Sequence, residues 1–359
     1  VHEFDTRDRK QYGWGYMPVN YFSPASQYCK DPAALSQITE FRELVDEFHR
    51  GGMAVILDVV YNHVGEPNFL QYLDREYYFL LTPEGHYENH SGCGNTLDAD
   101  TPMVRRLIRD SLVHWIENYG VDGFRFDLGE LLGKDTLAWL ETELKQVKPD
   151  VVLIAEPWSF RAHIGKDLRE TGFSSWNDGY REYMRDYLTL HKDAEPMRYF
   201  MRGSHPDWSR FPAQTVNYVA SHDDRCWIDK ITENGGHDGH RPTANDRRRT
   251  HLMAAILMMS VGIPMLASGM DHLKSKGGEN NTYLRGDLNA IPYKRMCEYS
   301  GTVEYFRRWI AFRLGPLGRY LRLDGFPGDE VFMTSRRDRL FGMIYNAHVT
   351  LGPDRLLFV

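Results

Sequence analysis

The sequence predicts an α/β fold: a parallel (β/α)8 TIM barrel followed by the start of a small all-β domain. Three observations carry that prediction. Short β-branched runs alternate with stretches of helical period, the pattern of parallel βα units. Polar residues gather at the C-terminal ends of those runs, the end at which a barrel collects its functional groups. After residue 313 the alternation gives way to short strands separated by Gly and Pro.

The first helix is read from Ile38, Phe41, Leu44, Val45 and Phe48, which recur at helical spacing before Gly51-Gly52 closes the run. The run 55–60 is almost continuously apolar, as a strand covered on both faces must be. A helix over 104–119, stopped by Gly120, leads into a strand over 123–127. A helix over 136–147 leads in the same way into a strand over 151–156. Further strands are expected over 215–220 and 263–267, and a helix over 302–313. Beyond it, strands are expected around 331–335, 340–346 and 355–359. The longest apolar stretch, 252–267, is broken by Ser260, Gly262 and Pro264 and falls short of the about 20 residues of a membrane span. It reads as a buried helix running into a buried strand, and Arg247-Arg248-Arg249 before it as a solvated helix start.

Composition narrows the function classes. Acidic residues outnumber basic ones by 50 to 43, for a net charge of −7, which argues against a nucleic-acid surface. A 42% hydrophobic content supports a sizeable core, and the 13% aromatic content offers flat faces suited to sugars or nucleobases. Cys29, Cys93, Cys226 and Cys297 form no CxxC pair and indicate neither a disulfide scaffold nor a zinc cage. No GxGxxG follows a strand, which weakens a dinucleotide reading. No signal peptide is visible, and the chain reads as soluble. Its compartment stays open with the cytoplasm slightly favoured, because the first residue is Val1 and not Met.

Two carboxylates stand out. Arg125 and Asp127 lie two apart in a strand and so point to the same side. A guanidinium there favours the ionised carboxylate that a nucleophile needs, and equally describes a structural ion pair. Glu156 ends an apolar strand and precedes Pro157 and Trp158. A carboxyl against apolar walls keeps its proton and can serve as general acid; a hydrogen-bonded strand-end residue is the plainer alternative. Their separation is about one βαβ unit, ~30 residues, which puts them on adjacent strands. Such a pair suits a retaining glycosidase, whose carboxyls stand ~5–5.5 Å apart. His222-Asp223-Asp224 and Asp58…Asn62-His63 are the residue types of a metal site as well, but no HxH or HExxH accompanies them, and no metal or cofactor is assigned.

Asp58-Val59-Val60-Tyr61-Asn62-His63, Gly123-Phe124-Arg125-Phe126-Asp127, Ile154-Ala155-Glu156 and Ser221-His222-Asp223 occur in the order of the signature regions of the α-amylase superfamily, which the chain resembles over most of residues 1–313. The resemblance implies Asp127 as nucleophile, Glu156 as acid/base and Asp223 as a third carboxylate on sugar hydroxyls. It implies that His63 and His222 hydrogen-bond the sugar at the cleavage point, that Arg125 orients Asp127, and that Tyr16 stacks beneath that ring. Trp158 joins the substrate-binding set, with Asp58 and Asn62 as structural support. Trp14 to Pro24, Ser91 to Leu97, Ala155 to Trp158 and Lys276 to Tyr283 with Gly286-Asp287 are similar to the debranching branch: pullulanases, isoamylases and glycogen debranching enzymes. The short stretch 64–103 also fits that branch. Met270-Asp271-His272 departs from the Glu-Phe that pullulanases tend to carry after the eighth strand. Asn62 matches a calcium position of many α-amylases, but the short stretch lacks the usual partners and calcium is not assigned.

The implied activity is a retaining hydrolase of α-glucans that cleaves α-1,6 branch points of glycogen, starch or pullulan. The alternatives are a branching or other transglycosylating enzyme with the same three carboxylates, and a non-catalytic glucan-binding protein using Trp14, Tyr16 and Trp158. An α-glucan is the expected partner, with no nucleic acid and no membrane; the oligomeric state is open. Trp176-Asn177-Asp178 and Trp227 read either as outer subsites or as packing. Residues 1–313 are expected to form the catalytic barrel and 314–359 the beginning of the β domain. The motif map puts Val1-His2-Glu3-Phe4 at the end of the second strand, so the barrel is expected to lack its first.

Overall fold

The computed structural model describes residues 12–326, 328–335 and 339–359, so the stretch 1–4 expected at a strand end lies outside them. The described residues form two compact units that divide between Ser175 and Trp176.

The first unit contains α1 (Ser36–Arg50), β1 (Ile56–Val59), α2 (Gln71–Tyr78), α3 (Pro102–Tyr119), β2 (Gly123–Phe126), α4 (Lys134–Val147) and β3 (Val152–Ala155). Its last strand, β4 (Ser174–Asn177), carries the chain into the second unit. Strands β1, β2 and β3 lie side by side and parallel, with Asp58 opposite Arg125 and Phe126 opposite Ala155. α3 begins with Pro102, whose missing N–H would have no partner in a first turn, and ends at Gly120 with φ +69°. Its buried stripe of Val104, Ile108, Leu112, Trp115 and Tyr119 packs in one core with Phe124 and Phe126. Ser111 Oγ and Trp115 Nε1 also donate to the Tyr21 carbonyl, 2.6 and 2.8 Å, which ties the 14–24 loop to this helix.

The second unit contains α5 (Asp178–Leu188), α6 (Met197–Met201), β5 (Thr215–Asn217), α7 (Trp227–Ile231), α8 (Ala244–Met259) and β6 (Ile263–Pro264). There follow α9 (Gly286–Asn289), α10 (Lys294–Glu298), α11 (Ser300–Leu314) and the strands β7 (Glu330–Ser335), β8 (Leu340–Tyr345) and β9 (Leu356–Phe358). β5 and β6 are parallel, whereas β7, β8 and β9 form an antiparallel sheet. Thr243 and Asp246 close a capping box on α8. Arg247 and Arg248 stay exposed, as expected, but Arg249 turns inward to donate to the Ile231 carbonyl at 3.0 Å. Arg313 is buried and donates to the carbonyls of Met258, Ser260, Gly262 and Leu321 at 2.7, 2.7, 2.6 and 3.1 Å; burial pushes its pKa down to about 10. Tyr345 Oη donates to the Met259 carbonyl at 2.5 Å, and Phe341, Met343 and Leu356 share one core with Ile256, Leu257 and Phe306.

Further expectations change, and the strand expected over 215–220 is formed only over Thr215–Asn217. β4 is absent from the sequence reading because Ser174-Ser175 carries no apolar signal, yet all four of its residues are buried and Asn177 Oδ1 caps α5 through the Tyr180 N–H. The strand expected over 263–267 shrinks to two residues, since Pro264 has no N–H to continue a ladder. Among the described residues no helix is long and apolar enough to cross a membrane.

Gly123 tests the β2–β3 contact. A Cβ there would sit 2.1 Å from the Val152 carbonyl oxygen. Gly123→Ala is therefore expected to lower stability in urea unfolding by at least about 2 kcal/mol. Gly301→Ala, in the first turn of α11 with nothing within 4 Å of the new Cβ, is the neutral control.

Candidate active site

The first unit assembles most of the expected residues around one buried cation. Arg125 sits in the middle of three strand ends: Asp58 on β1, Asp127 just past β2 and Glu156 just past β3. Its Nη1 lies 2.8 Å from Asp58 Oδ1 and 3.2 Å from Asp127 Oδ1, and its Nη2 lies 2.7 Å from Glu156 Oε2. Burial opposes the guanidinium charge, but Asp58 and Glu156, then Tyr16 and Asp127, outweigh it and hold the Arg125 pKa well above its ordinary value.

Backbone ladders reach one residue past each strand to fix the two carboxylates. The Asp127 N–H donates to the Val59 carbonyl at 2.9 Å, and the Glu156 N–H to the Phe126 carbonyl at 3.0 Å. Leu128 then turns into the left-handed region, φ +42°, and its N–H donates to Glu156 Oε2 at 2.9 Å. Glu156 thus meets a cation and an amide, where the sequence suggested apolar walls. Arg125 is shared among three carboxylates because its neighbours on both sides bring one each.

Asn62 donates from Nδ2 to the Asp127 carbonyl at 2.9 Å and to its Oδ2 at 3.0 Å, so its amide is engaged in orienting Asp127. His63 donates from Nε2 to the Tyr16 carbonyl at 2.7 Å, while Nδ1 lies 2.5 Å from Asn62 Oδ1. Burial pushes the His63 pKa down to about 4, against the Tyr16 carbonyl, which favours the protonated ring. Tyr16 Oη donates to Asp58 Oδ2 at 2.5 Å, and burial raises its phenol well above the usual value. Trp158 is half-buried, with its ring tilted against His163.

In the second unit, buried Tyr218, Val219 and Ala220 continue from β5 to His222 and Asp223. The Asp223 side chain is 48% exposed, and His222 Nε2 lies 3.6 Å from its Oδ2. Trp176 is buried against Tyr218 and His222, and Trp227 donates to Thr250 Oγ1 at 3.1 Å from full burial. Packing, one of the two readings given to these tryptophans, accounts for both positions.

Sequence reasoning missed the Tyr16–Asp58 bond, the Arg125–Glu156 pair and the role of Asn95. Asn95 clamps Val64 from both sides, accepting from its N–H at 3.0 Å and donating to its carbonyl at 2.8 Å, which braces the residue after His63. The signal was present in the stretch Ser91 to Leu97. Among the described residues no group of three or more His, Cys, Asp or Glu side chains is arranged to hold a metal ion.

No protein-family model matches the chain. It is 30% identical over 334 residues to the pullulanase of Bacillus subtilis strain 168, covering 84% of this chain and 45% of that protein. It is 32% identical over 322 residues to the glycogen debranching enzyme of Yersinia enterocolitica, covering 77% and 48%. A pullulanase from Paenibacillus barengoltzii, solved in complex with maltohexaose and α-cyclodextrin, matches the fold with a TM-score of 0.88 at 26% identity, over 99% of this chain and 60% of that one. Over most of its length the chain is similar to these debranching enzymes. Its fold is the α/β amylase type, and it spans about half the length of the curated relatives it matches. The ordered signature stretches of the sequence correspond to strand ends: Asp58 to His63 follows through β1, Arg125 and Asp127 close β2, and Glu156 closes β3.

Arg125→Met would strand buried Glu156 beside two further carboxylates. It is expected to cost about 3–5 kcal/mol in urea unfolding at pH 7; a cost below about 1 kcal/mol would contradict the hub. His63 gives a pH signature. The unfolded ring takes a proton below its ordinary pKa of 6.5, but the folded one only near 4. Stability should therefore fall as pH drops through that window, and His63→Gln should flatten that part of the profile.

Proposed function

We propose that the chain is the catalytic part of a retaining glycoside hydrolase that cleaves α-1,6 branch points in α-glucans such as pullulan or glycogen. The observation that carries this reading is the Arg125 guanidinium held between Asp127 and Glu156 at the ends of neighbouring parallel strands. The relatives named pullulanase and glycogen debranching enzyme, and the neighbour solved with maltohexaose, support the same bond and substrate class.

In the first step Glu156 protonates the glycosidic oxygen while Asp127 attacks the anomeric carbon, forming a glycosyl-enzyme. Arg125 and Asn62 keep the Asp127 carboxylate aimed. The Leu128 N–H and the Arg125 ion pair both bear on Glu156 Oε2 and fix the orientation of the carboxyl. In the second step Glu156 takes a proton from the water that releases the sugar. Asp223, His222 and His63 hold sugar hydroxyls more tightly as the ring flattens, and Tyr16 stacks beneath that ring, its hydroxyl anchored on Asp58. Trp158 extends the binding surface. In this reading the parallel strands belong to a (β/α)8 barrel spanning 1–313, with 314–359 beginning a C-terminal β domain.

Incubation with pullulan, glycogen and amylose, with products resolved by chain length, tests the specificity. Linear chains should leave the branched substrates, amylose should stay intact and reducing ends should rise; constant reducing ends would instead indicate transfer. Glu156→Gln is expected to lower kcat by about 100-fold or more. A fluorinated glycosyl donor should label Asp127, and labelling at another residue would refute the nucleophile.

A further inference from the structure

The stretch Lys276 to Tyr283, singled out in the sequence, has no part in the chemistry above. In the second unit it lies against the segment that carries Asp223. Lys276 is buried, 2% exposed, and its Nζ donates to the His222 carbonyl at 3.2 Å and to Thr282 Oγ1 at 3.1 Å. The root of the loop is fixed by buried Asp229, which accepts from Ser275 Oγ at 2.5 Å and from the Lys276 N–H at 2.8 Å. A second strut runs from Arg225 Nε to the Gly278 carbonyl, 2.8 Å. Asp223, next in chain to the held His222 carbonyl and two residues before Arg225, has a half-exposed carboxylate. Its neighbour Asp224 adopts φ +59° and is held by Lys230 Nζ at 2.9 Å. The direction of the Asp223 side chain is thus set through its backbone, and the peptide on its N-terminal side is the one Lys276 holds.

We propose that Lys276 is a positioning residue for Asp223, fixing the His222–Asp223 peptide so that the carboxylate meets sugar hydroxyls in the transition state. This rests on the role given above to Asp223. A buried ammonium suits that role, because leaving the His222 carbonyl would cost it a hydrogen bond that water cannot replace there. A displacement of about 1 Å of a transition-state contact is worth up to 100-fold in rate.

A double-mutant cycle on the full chain, with turnover of pullulan per active site titrated by the fluorinated donor, tests it. Lys276→Met should lower kcat by about ten- to a hundredfold and leave KM within about threefold, the mark of a contact made in the transition state. In an Asp223→Asn background the same substitution should cost less than about threefold, because the group it positions is gone. If the Lys276→Met factor returns undiminished in that background, or per-site kcat is unchanged, the positioning role is overturned. If Asp223→Asn turns over like the wild type, the reading of Asp223 fails first and takes this inference with it. Should Lys276→Met not fold, Thr282→Val, which loosens the same ammonium, carries the cycle with a smaller fall in kcat and the same collapse.

Discussion

Burying a guanidinium is costly unless its charge is met, and in the first unit three carboxylates from successive strand ends meet that of Arg125. The arrangement constrains everything around it. Asp58, Asp127 and Glu156 would repel one another without the cation, and the cation could not stay buried without them. Tyr16 and Asn62 enter as donors to the second oxygens of Asp58 and Asp127, and His63 follows because Asn62 does. The hub therefore fixes four loops at once, and its geometry is decided by the strands beneath it.

Those strands act as a ruler. Register sets Asp58 beside Arg125 and Phe126 beside Ala155, so that Asp127 and Glu156, each next in chain, emerge level. The close approach of β2 to β3 leaves no room for a side chain at Gly123, and the sharp turn at Leu128 sends an amide back to Glu156. Precision at the site comes from backbone hydrogen bonds more than from side-chain packing, which explains why short, four-residue strands suffice.

Sequence carried the helices well. α1, α3 and α4 form where helical spacing places them, and α1 and α3 end at their expected glycines, because local spacing and capping determine them. The pairing of Arg125 with Asp127 was legible for the same reason, being two residues apart on one strand. Its second pairing, with Glu156, was not, since it depends on cross-strand register and on a left-handed leucine that no local pattern announces. β4 escaped because two serines are silent in a hydrophobic pattern even when fully buried. The contact of Lys276 with the His222 carbonyl spans 54 residues of chain, and only the folded loop reveals it.

Arg313 bears on modularity. Its guanidinium gathers carbonyls from the end of α8, the approach to β6 and the turn after α11, and Tyr345 reaches back to the same helix end. Carbonyl groups accept in fixed directions, so the connections between α8 and β6 and between α11 and Leu321 cannot change length without breaking the set. Insertions and deletions should be excluded there. A transplant of the antiparallel sheet into a related chain would have to carry α8 and α11 with it, which makes the stretch from α8 to β9 a single heritable block.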